Sequence, residues 1–302
     1  MITPIEVQMR SERRRMVRDA RQVLLRHGEL RWMTGLLRRR ALAIAMHSDY
    51  GPTGQDKDRN QDCVIAWCGS MSHQLSLRWI IAMADGVSSS HRGEWGAELA
   101  CWASAADLLT SGETSPHTRA LSAVQAATRA IEQLATVPRH APETSLPNDE
   151  FPATWRYTLE RGLFFQTTLS LAWSDGQTTY LAAIGDGGAV YITSNGGSKV
   201  VQRLSKSDLT TDRVRCLGPQ HDLDSIDTWL ELTLRDGDLL ALYTDGIDRG
   251  MTDSCVLQTF LERHGAFQGN AARALIEHLV ATSPSDYFDN LTLALVTIGS
   301  DG

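Results

Sequence analysis

The sequence predicts an α+β fold in which antiparallel sheets are covered by helices. Three observations predict it. Short apolar runs of strand length follow one another along the chain and are separated by tight turns. Asp175-Gly176 and Asp236-Gly237 each lie between two such runs and read as hairpins. A Rossmann-type alternation is absent, as is a GxGxxG or Walker loop.

In chain order, residues 6–40 read as helix: good helix formers, no Pro, and Gly only at Gly28 and Gly35. Val17, Leu24, Leu25 and Leu30 alternate there with Arg-rich turns. Strands are expected at Cys63–Trp67, Arg78–Ala84, Thr167–Trp173, Tyr180–Ile184, Ala189–Thr193, Trp229–Leu234, Leu239–Thr244 and Leu291–Ile298. Helices are expected at Gly93–Leu109, His117–Ala135, Cys255–His264 and Asn270–Ala281. In the first of these, Trp95, Leu99, Trp102, Ala106 and Leu109 form one apolar stripe, which is core. Residues 136–162, marked by Pro138, Pro142, Pro147 and Pro152, read as a loop.

A chain of 302 residues suffices for one large domain or two small ones with a sizeable core. No signal peptide is evident, and no apolar stretch approaches the roughly 20 residues that span a bilayer. Five scattered cysteines read as reduced thiols of a cytoplasmic protein. Residues 1–40 hold eleven Arg against four acids, net +7, so the remainder carries 18 basic and 32 acidic residues, net −14. A body that acidic is a poor general nucleic-acid binder and a reasonable binder of cations. The Arg-rich arm reads as a peripheral helix. The sharper readings are docking on a partner, an acidic face or an anionic membrane.

Three further Asp-Gly pairs follow apolar runs: Asp85-Gly86, Asp186-Gly187 and Asp245-Gly246. For Asp186 a hairpin turn stays open, because a strand candidate resumes at Ala189. Asp85 leads through a loop into a helix, and no strand resumes after Asp245. Asn60-Gln61-Asp62 and Asp289-Asn290 each directly precede a strand, where Asp and Asn are also ordinary turn formers. Burial disfavours a charged carboxylate. Two carboxylates about 4 Å apart repel by roughly 4 kcal/mol at an effective dielectric of 20. Several therefore converge comfortably only around a cation. Hard oxygens with no His or Cys at ligand spacing favour Mg²⁺ or Mn²⁺ over Zn²⁺.

The order of these segments resembles the metal-dependent PP2C (PPM) family of protein Ser/Thr phosphatases, of the bacterial type. The matching pieces are Lys57–Asp62, Ala84-Asp85-Gly86 with Gly93-Glu94, Thr167-Thr168-Leu169, Ile184-Gly185-Asp186, Tyr243–Ile247 and Asp289–Thr292, covering roughly residues 46–298. The resemblance implies an αββα sandwich over residues 41–302, with 1–40 as a helical arm. It implies hydrolysis of phosphomonoesters by a metal-activated water at a centre of two, or three, Mn²⁺ or Mg²⁺ ions. Asp85 would bridge both metals, with the Gly86 carbonyl on one. Asp245 and Asp289 would hold one metal, Asp62 would act through waters, and Asn290 would support the site. Asp186 is the residue for a third metal. The substrate implied is phosphoserine or phosphothreonine in a protein, with a partner kinase opposing the reaction.

The sequence departs from the family in four places. The Arg expected five residues before Asp62 to grip phosphate is Lys57, which keeps the charge and loses the bidentate fork. Arg59 is the nearby substitute. Position 87 is Val where some members carry a His, and His91 reads as a loop residue. The acid expected four residues after Asp245 is Arg249, with Asp248 displaced by one, which weighs against a third metal. Residues 205–218 form a short flap. Lys57 and the short flap motivate one alternative, a PP2C-fold binding or regulatory module with weak or no catalysis. A second alternative, a phosphatase of small phosphoesters, also stays open.

Overall fold

The computed structural model describes residues 3–39, 42–49, 60–69, 77–141, 158, 160–195, 198–205, 215–219, 224–247, 251, 270–282 and 289–299. The chain opens with helix α1 (Pro4–His27), then strands β1 (Gly28–Trp32), β2 (Gly35–Arg39), β3 (Leu42–Asp49), β4 (Asp62–Gly69) and β5 (Trp79–Asp85). Helices α2 (Gly93–Thr110) and α3 (Pro116–Arg139) follow, then strands β6 (Leu169–Ser174), β7 (Thr179–Ile184), β8 (Gly188–Asn195), β9 (Ser198–Ser205), β10 (Thr228–Leu232) and β11 (Leu239–Tyr243). A 3₁₀ turn (Asp245–Ile247), helix α4 (Ala271–Thr282) and strand β12 (Leu291–Ile298) complete the described elements.

Two antiparallel six-stranded sheets result. The first has the order β1-β4-β5-β6-β7-β10 and the second β2-β3-β12-β11-β8-β9. The layers follow from strand periodicity. In β4, Cys63, Ile65 and Trp67 enter the core shared with α1, α2 and α3. Their alternates Val64, Ala66 and Cys68 enter the core between the sheets, with Ile44, Leu240, Leu242 and Val296 from the second sheet. The second sheet's other face, through Ala241, Tyr243, Leu293 and Leu295, packs on Leu275, Ile276 and Leu279 of α4. A strand buried on both faces reads as a continuous apolar run, which is why these strands show little alternation. The architecture is the αββα sandwich.

Eight strand and three helix expectations meet elements within a few residues of the stated bounds. The remaining expected helix, Cys255–His264, lies outside the described residues. Several expectations need correction. The helix expected over 6–40 stops at His27, and the next residues form β1 and β2, one in each sheet. Gly28 explains the stop. A Cβ there would stand 2.0 Å from the Cys68 carbonyl oxygen, so the chain lies hard against β4, in register Gly28↔Gly69. The helical part is not peripheral: Ile5, Met9 and Leu24 are buried in the first core, and Trp67 Nε1 donates to the Leu24 carbonyl at 2.9 Å. Strands β3 and β9 were not expected at all.

The Asp175 turn is a hairpin. It joins the paired strands β6 and β7, and the Asp175 carboxylate accepts from the N–H groups of Gln177 and Thr178 at 2.8 Å. The Asp236 turn is not, because β10 pairs in the first sheet and β11 in the second. The stripe on α2 is core at Trp95, Leu99 and Trp102, but Ala105 and Leu108 are buried rather than Ala106 and Leu109. Helix α2 packs against α1, α3 and the sheet at once, so its buried surface is wider than one stripe.

Candidate active site

The two sheets bring four aspartates to one edge of the sandwich. Asp62 opens β4 and Asp85 closes β5, and the two are register partners across the antiparallel ladder. Asp245 follows β11 and Asp289-Asn290 precede β12, which are paired antiparallel neighbours in the second sheet. The Thr244 N–H donates to the Thr292 carbonyl at 3.1 Å, carrying that pairing to the edge.

Hydrogen bonds between the sheets close the site. Asp62 is 5% exposed, and its Oδ2 accepts from Thr244 Oγ1 at 2.9 Å and Thr292 Oγ1 at 2.6 Å. Thr292 Oγ1 also stands 2.7 Å from Ser48 Oγ, which accepts from Asn60 Nδ2 at 2.8 Å. The Gln61 N–H donates to Asn290 Oδ1 at 2.8 Å, which ties the segment before Asp62 to the segment before β12. Asp85 is held through its backbone. Its N–H donates to Thr168 Oγ1 at 3.1 Å, and its carbonyl accepts from Thr168 N at 2.8 Å and Thr167 Oγ1 at 2.7 Å. All four threonines lie in the motif pieces quoted above, but the sequence assigned none of them a supporting role. For Thr244 and Thr292 the available signal was a Thr adjacent to, or two residues from, a strand-end Asp or Asn; Thr167 and Thr168 carry no such local signal.

Two glycines permit the convergence. A Cβ on Gly86 would stand 2.5 Å from the Gly93 carbonyl carbon, and one on Gly246 would stand 2.0 Å from the Asn290 carbonyl oxygen. Any side chain at Gly246 would therefore push Asp245 away from Asp289-Asn290.

The electrostatics are those of buried, crowded carboxylates. Burial, foremost, pushes the Asp62 carboxyl up to about 6, against the lowering effect of its contacts with Asp85, Thr292 and Thr244. Burial, then the charges of Asp62 and Asp245, push Asp85 well above the usual carboxylate range, with Asp289 adding to the effect. The Asp62 and Asp85 carboxyl groups are close enough to shift one another's proton affinity. Asp62 Oδ1 is buried with no hydrogen-bond donor among the described residues. Among the described residues no group of three His, Cys, Asp or Glu side chains stands placed to hold a metal ion. An orphaned buried carboxylate oxygen amid hard oxygen donors fits Mn²⁺ or Mg²⁺.

The sequence profile described as Protein phosphatase 2C matches residues 54–281. The chain belongs to the protein phosphatase 2C family. Members of this family are hydrolases that act on phosphoproteins. Solved phosphatase 2C structures share the fold. The Mycobacterium tuberculosis serine/threonine phosphatase PstP/Ppp is 20% identical at a TM-score of 0.58, covering 85% of this chain and 99% of that one. A Toxoplasma gondii serine-threonine phosphatase 2C is 12% identical at a TM-score of 0.59, covering 89% and 99%. Pseudomonas aeruginosa PppA, described as a regulatory component of T6SS, is 18% identical at a TM-score of 0.54, covering 85% and 97%. Comparison with curated protein sequences gives no significant match.

Other expected site residues of this phosphatase 2C chain fall differently. Lys57, Arg59, Asp248 and Arg249 lie outside the described residues. Asp186 does not sit in a hairpin, since β7 belongs to the first sheet and β8 to the second. Its carboxylate, after burial, helps push the Cys216 thiol up to about 11, which places Asp186 beside the segment that ends the flap. His91 packs its ring 4.6 Å from that of Phe164, and its N–H donates to the Leu163 carbonyl, as a loop residue does.

Proposed function

We propose that this chain is a metal-dependent protein serine/threonine phosphatase. In this reading Asp85, the Gly86 carbonyl, Asp245 and Asp289 hold two Mn²⁺ or Mg²⁺ ions, with Asp62 beside them. The observation that carries it is the opposed pair Asp62 and Asp85, crowded by Asp245 and Asp289, with Asp62 Oδ1 left without a donor. The catalytic domain of a serine/threonine protein phosphatase PstP has been solved in complex with two manganese ions, which supports the same choice of metal here. When bound, such ions lower the pKa of water and offset charge on phosphoryl oxygens.

The chain's own residues supply the frame. Thr244 and Thr292 fix one oxygen of Asp62, and the other is buried without a donor among the described residues. Thr167 and Thr168 fix the backbone of Asp85. Lys57 or Arg59 supplies positive charge for the phosphate of a phosphoserine or phosphothreonine protein, made by a partner kinase. Asp186 is the residue for a third metal. The buried thiols of Cys63 and Cys101 support a cytoplasmic setting. Among the described residues no helix is long and apolar enough to cross a membrane. The outward face of α1, with Arg14, Arg18 and Arg21 exposed, is the surface for an anionic partner.

Turnover of p-nitrophenyl phosphate with Mn²⁺, compared between wild type and Asp245→Asn, tests the proposal. Wild type turns over and the variant falls by at least about 100-fold. Equal inertness of both, with metal still bound, leaves the binding-module reading. A phosphopeptide panel set against small phosphoesters separates the two substrate classes, and preference for the small esters rejects the protein substrate.

A further inference from the structure

Helix α1 meets the metal-site loop at Arg92. That loop leaves Asp85-Gly86 and enters α2 at Gly93, with Arg92 as the residue before the helix. Arg92 holds a left-handed backbone, φ 62° and ψ 42°, which L side chains adopt uncommonly. No side chain caps this helix start. The Arg92 carbonyl instead accepts from the N–H groups of Trp95 at 3.0 Å and Gly96 at 3.4 Å. The Arg92 guanidinium forms an ion pair with Glu6 of α1, reaches Glu94 at 3.6 Å and lies 5.2 Å over the Trp95 ring. Both partners are well covered, with side chains 16% and 13% exposed. A second α1–α2 ion pair, Arg13–Glu98 at 3.0 Å, lies further along the same joint.

Gly93, the residue after Arg92, is the one against which Gly86 is packed. A Cβ on Gly86 would stand 2.5 Å from the Gly93 carbonyl carbon and 2.7 Å from its oxygen. Backbone touches backbone there, with no side chain between to absorb a shift. Gly86 follows Asp85, and its N–H donates at 3.1 Å to the carbonyl of Gln61, the residue before Asp62. A displacement of Arg92 is therefore passed by direct contact to both halves of the aspartate pair.

We propose that Glu6 and Arg92 are positioning residues of the metal site. Through this pair α1 pins the left-handed entry to α2, and so sets the place of Gly86 and Asp85. The inference rests on the metal-site reading above and names residues outside the site that control its affinity. In chemical terms Glu6 and Arg92 act as outer partners of a metal site, whose loss weakens metal binding by about 10-fold to 100-fold.

The test is Mn²⁺ binding by the full chain, read from the electron paramagnetic resonance of free Mn²⁺, well below the lowest melting temperature of the set. Glu6→Gln removes the charge at one end. Arg92→Gly removes the other end and relieves the left-handed strain, so the helix start keeps its backbone. Arg92→Lys is the conservative rescue. Arg13→Gln breaks the comparable pair on the same joint. Glu6→Gln and Arg92→Gly are expected to bind Mn²⁺ at least about tenfold more weakly than wild type. Arg92→Lys is expected to stay closer to wild type, and Arg13→Gln to equal it. Wild-type affinity in Glu6→Gln and Arg92→Gly overturns the inference. So does an equal loss in Arg13→Gln, since that assigns the effect to the general stability of the joint. If wild type binds Mn²⁺ no better than Asp85→Asn, the metal reading itself fails and this inference falls with it.

Discussion

Asp62 and Asp85 are register partners across neighbouring antiparallel strands, and their carboxyl groups shift one another's proton affinity. Twenty-three positions apart in sequence, they are paired because one begins β4 and the other ends β5. The mutual charge effect of the two carboxyls follows from that register, and burial adds to it.

The first consequence is a pH dependence of the metal-free protein. Both carboxyls are raised in the folded state above the ordinary Asp value of about 3.9. A raised pKa means the folded state binds protons more tightly, so the stabilising contribution is fully present below about pH 4 and is lost as pH rises through about 6 and beyond. Thermal melts of chelator-treated protein from pH 4 to 7.5 are expected to show a falling midpoint. Asp85→Asn flattens that slope, and Mn²⁺ at pH 7 restores the midpoint. A midpoint that rises over this range would contradict the assignment.

The hydroxyls on Asp62 Oδ2 make a second prediction. Thr244→Val and Thr292→Val each remove one donor from a buried carboxylate. Each should destabilise the fold by about 1–3 kcal/mol, measured as a shift in the urea midpoint at constant slope. Because both act on one oxygen, the double variant should depart from additivity.

Close approach at Gly246 makes a third. Gly246→Ala places a methyl group 2.0 Å from the Asn290 carbonyl oxygen. Overpacking of this kind costs about 1–3 kcal/mol. If the chain turns over p-nitrophenyl phosphate, the shift of Asp245 should lower that rate by about 100-fold or more. Full activity in Gly246→Ala would show that Asp245 is not held at this spacing.

Truncation of α1 makes a fourth. Removing residues 1–27 takes Ile5, Met9 and Leu24 out of the first core. Each fully buried apolar side chain contributes about 1.5–3 kcal/mol, and the total is a large part of the 5–15 kcal/mol that holds a domain folded. The truncated chain is expected to be insoluble or to melt many degrees lower, by circular dichroism. A folded truncation with an unchanged midpoint would return α1 to the status of an appendage.

Much of the core was legible because the strands are continuous apolar runs bounded by Asp, Asn and Gly. The four aspartates were legible because each sits where such a run begins or ends. The amino-terminal strands were not. Leu30, Arg31, Leu36 and Leu37 lie among good helix formers, and only pairing of Gly28–Trp32 with β4 and of Gly35–Arg39 with β3 makes them strands. The turns at Asp186 and Asp236 share the local chemistry of the hairpin at Asp175. Sheet membership distinguishes them, and that is a non-local property.

By itself the sequence determined which residues are apolar enough to be buried, where the runs break, and which acids stand at the breaks. These are local matters of transfer free energy and turn geometry. Tertiary structure decided what those acids do to one another: the Asp62–Asp85 register, the two threonines reaching from one sheet to a carboxylate on the other, and the docking of α1 beside Arg92. Each depends on contacts between residues tens to hundreds of positions apart. Such contacts form only when burial of both faces of both sheets brings the strand ends to one edge.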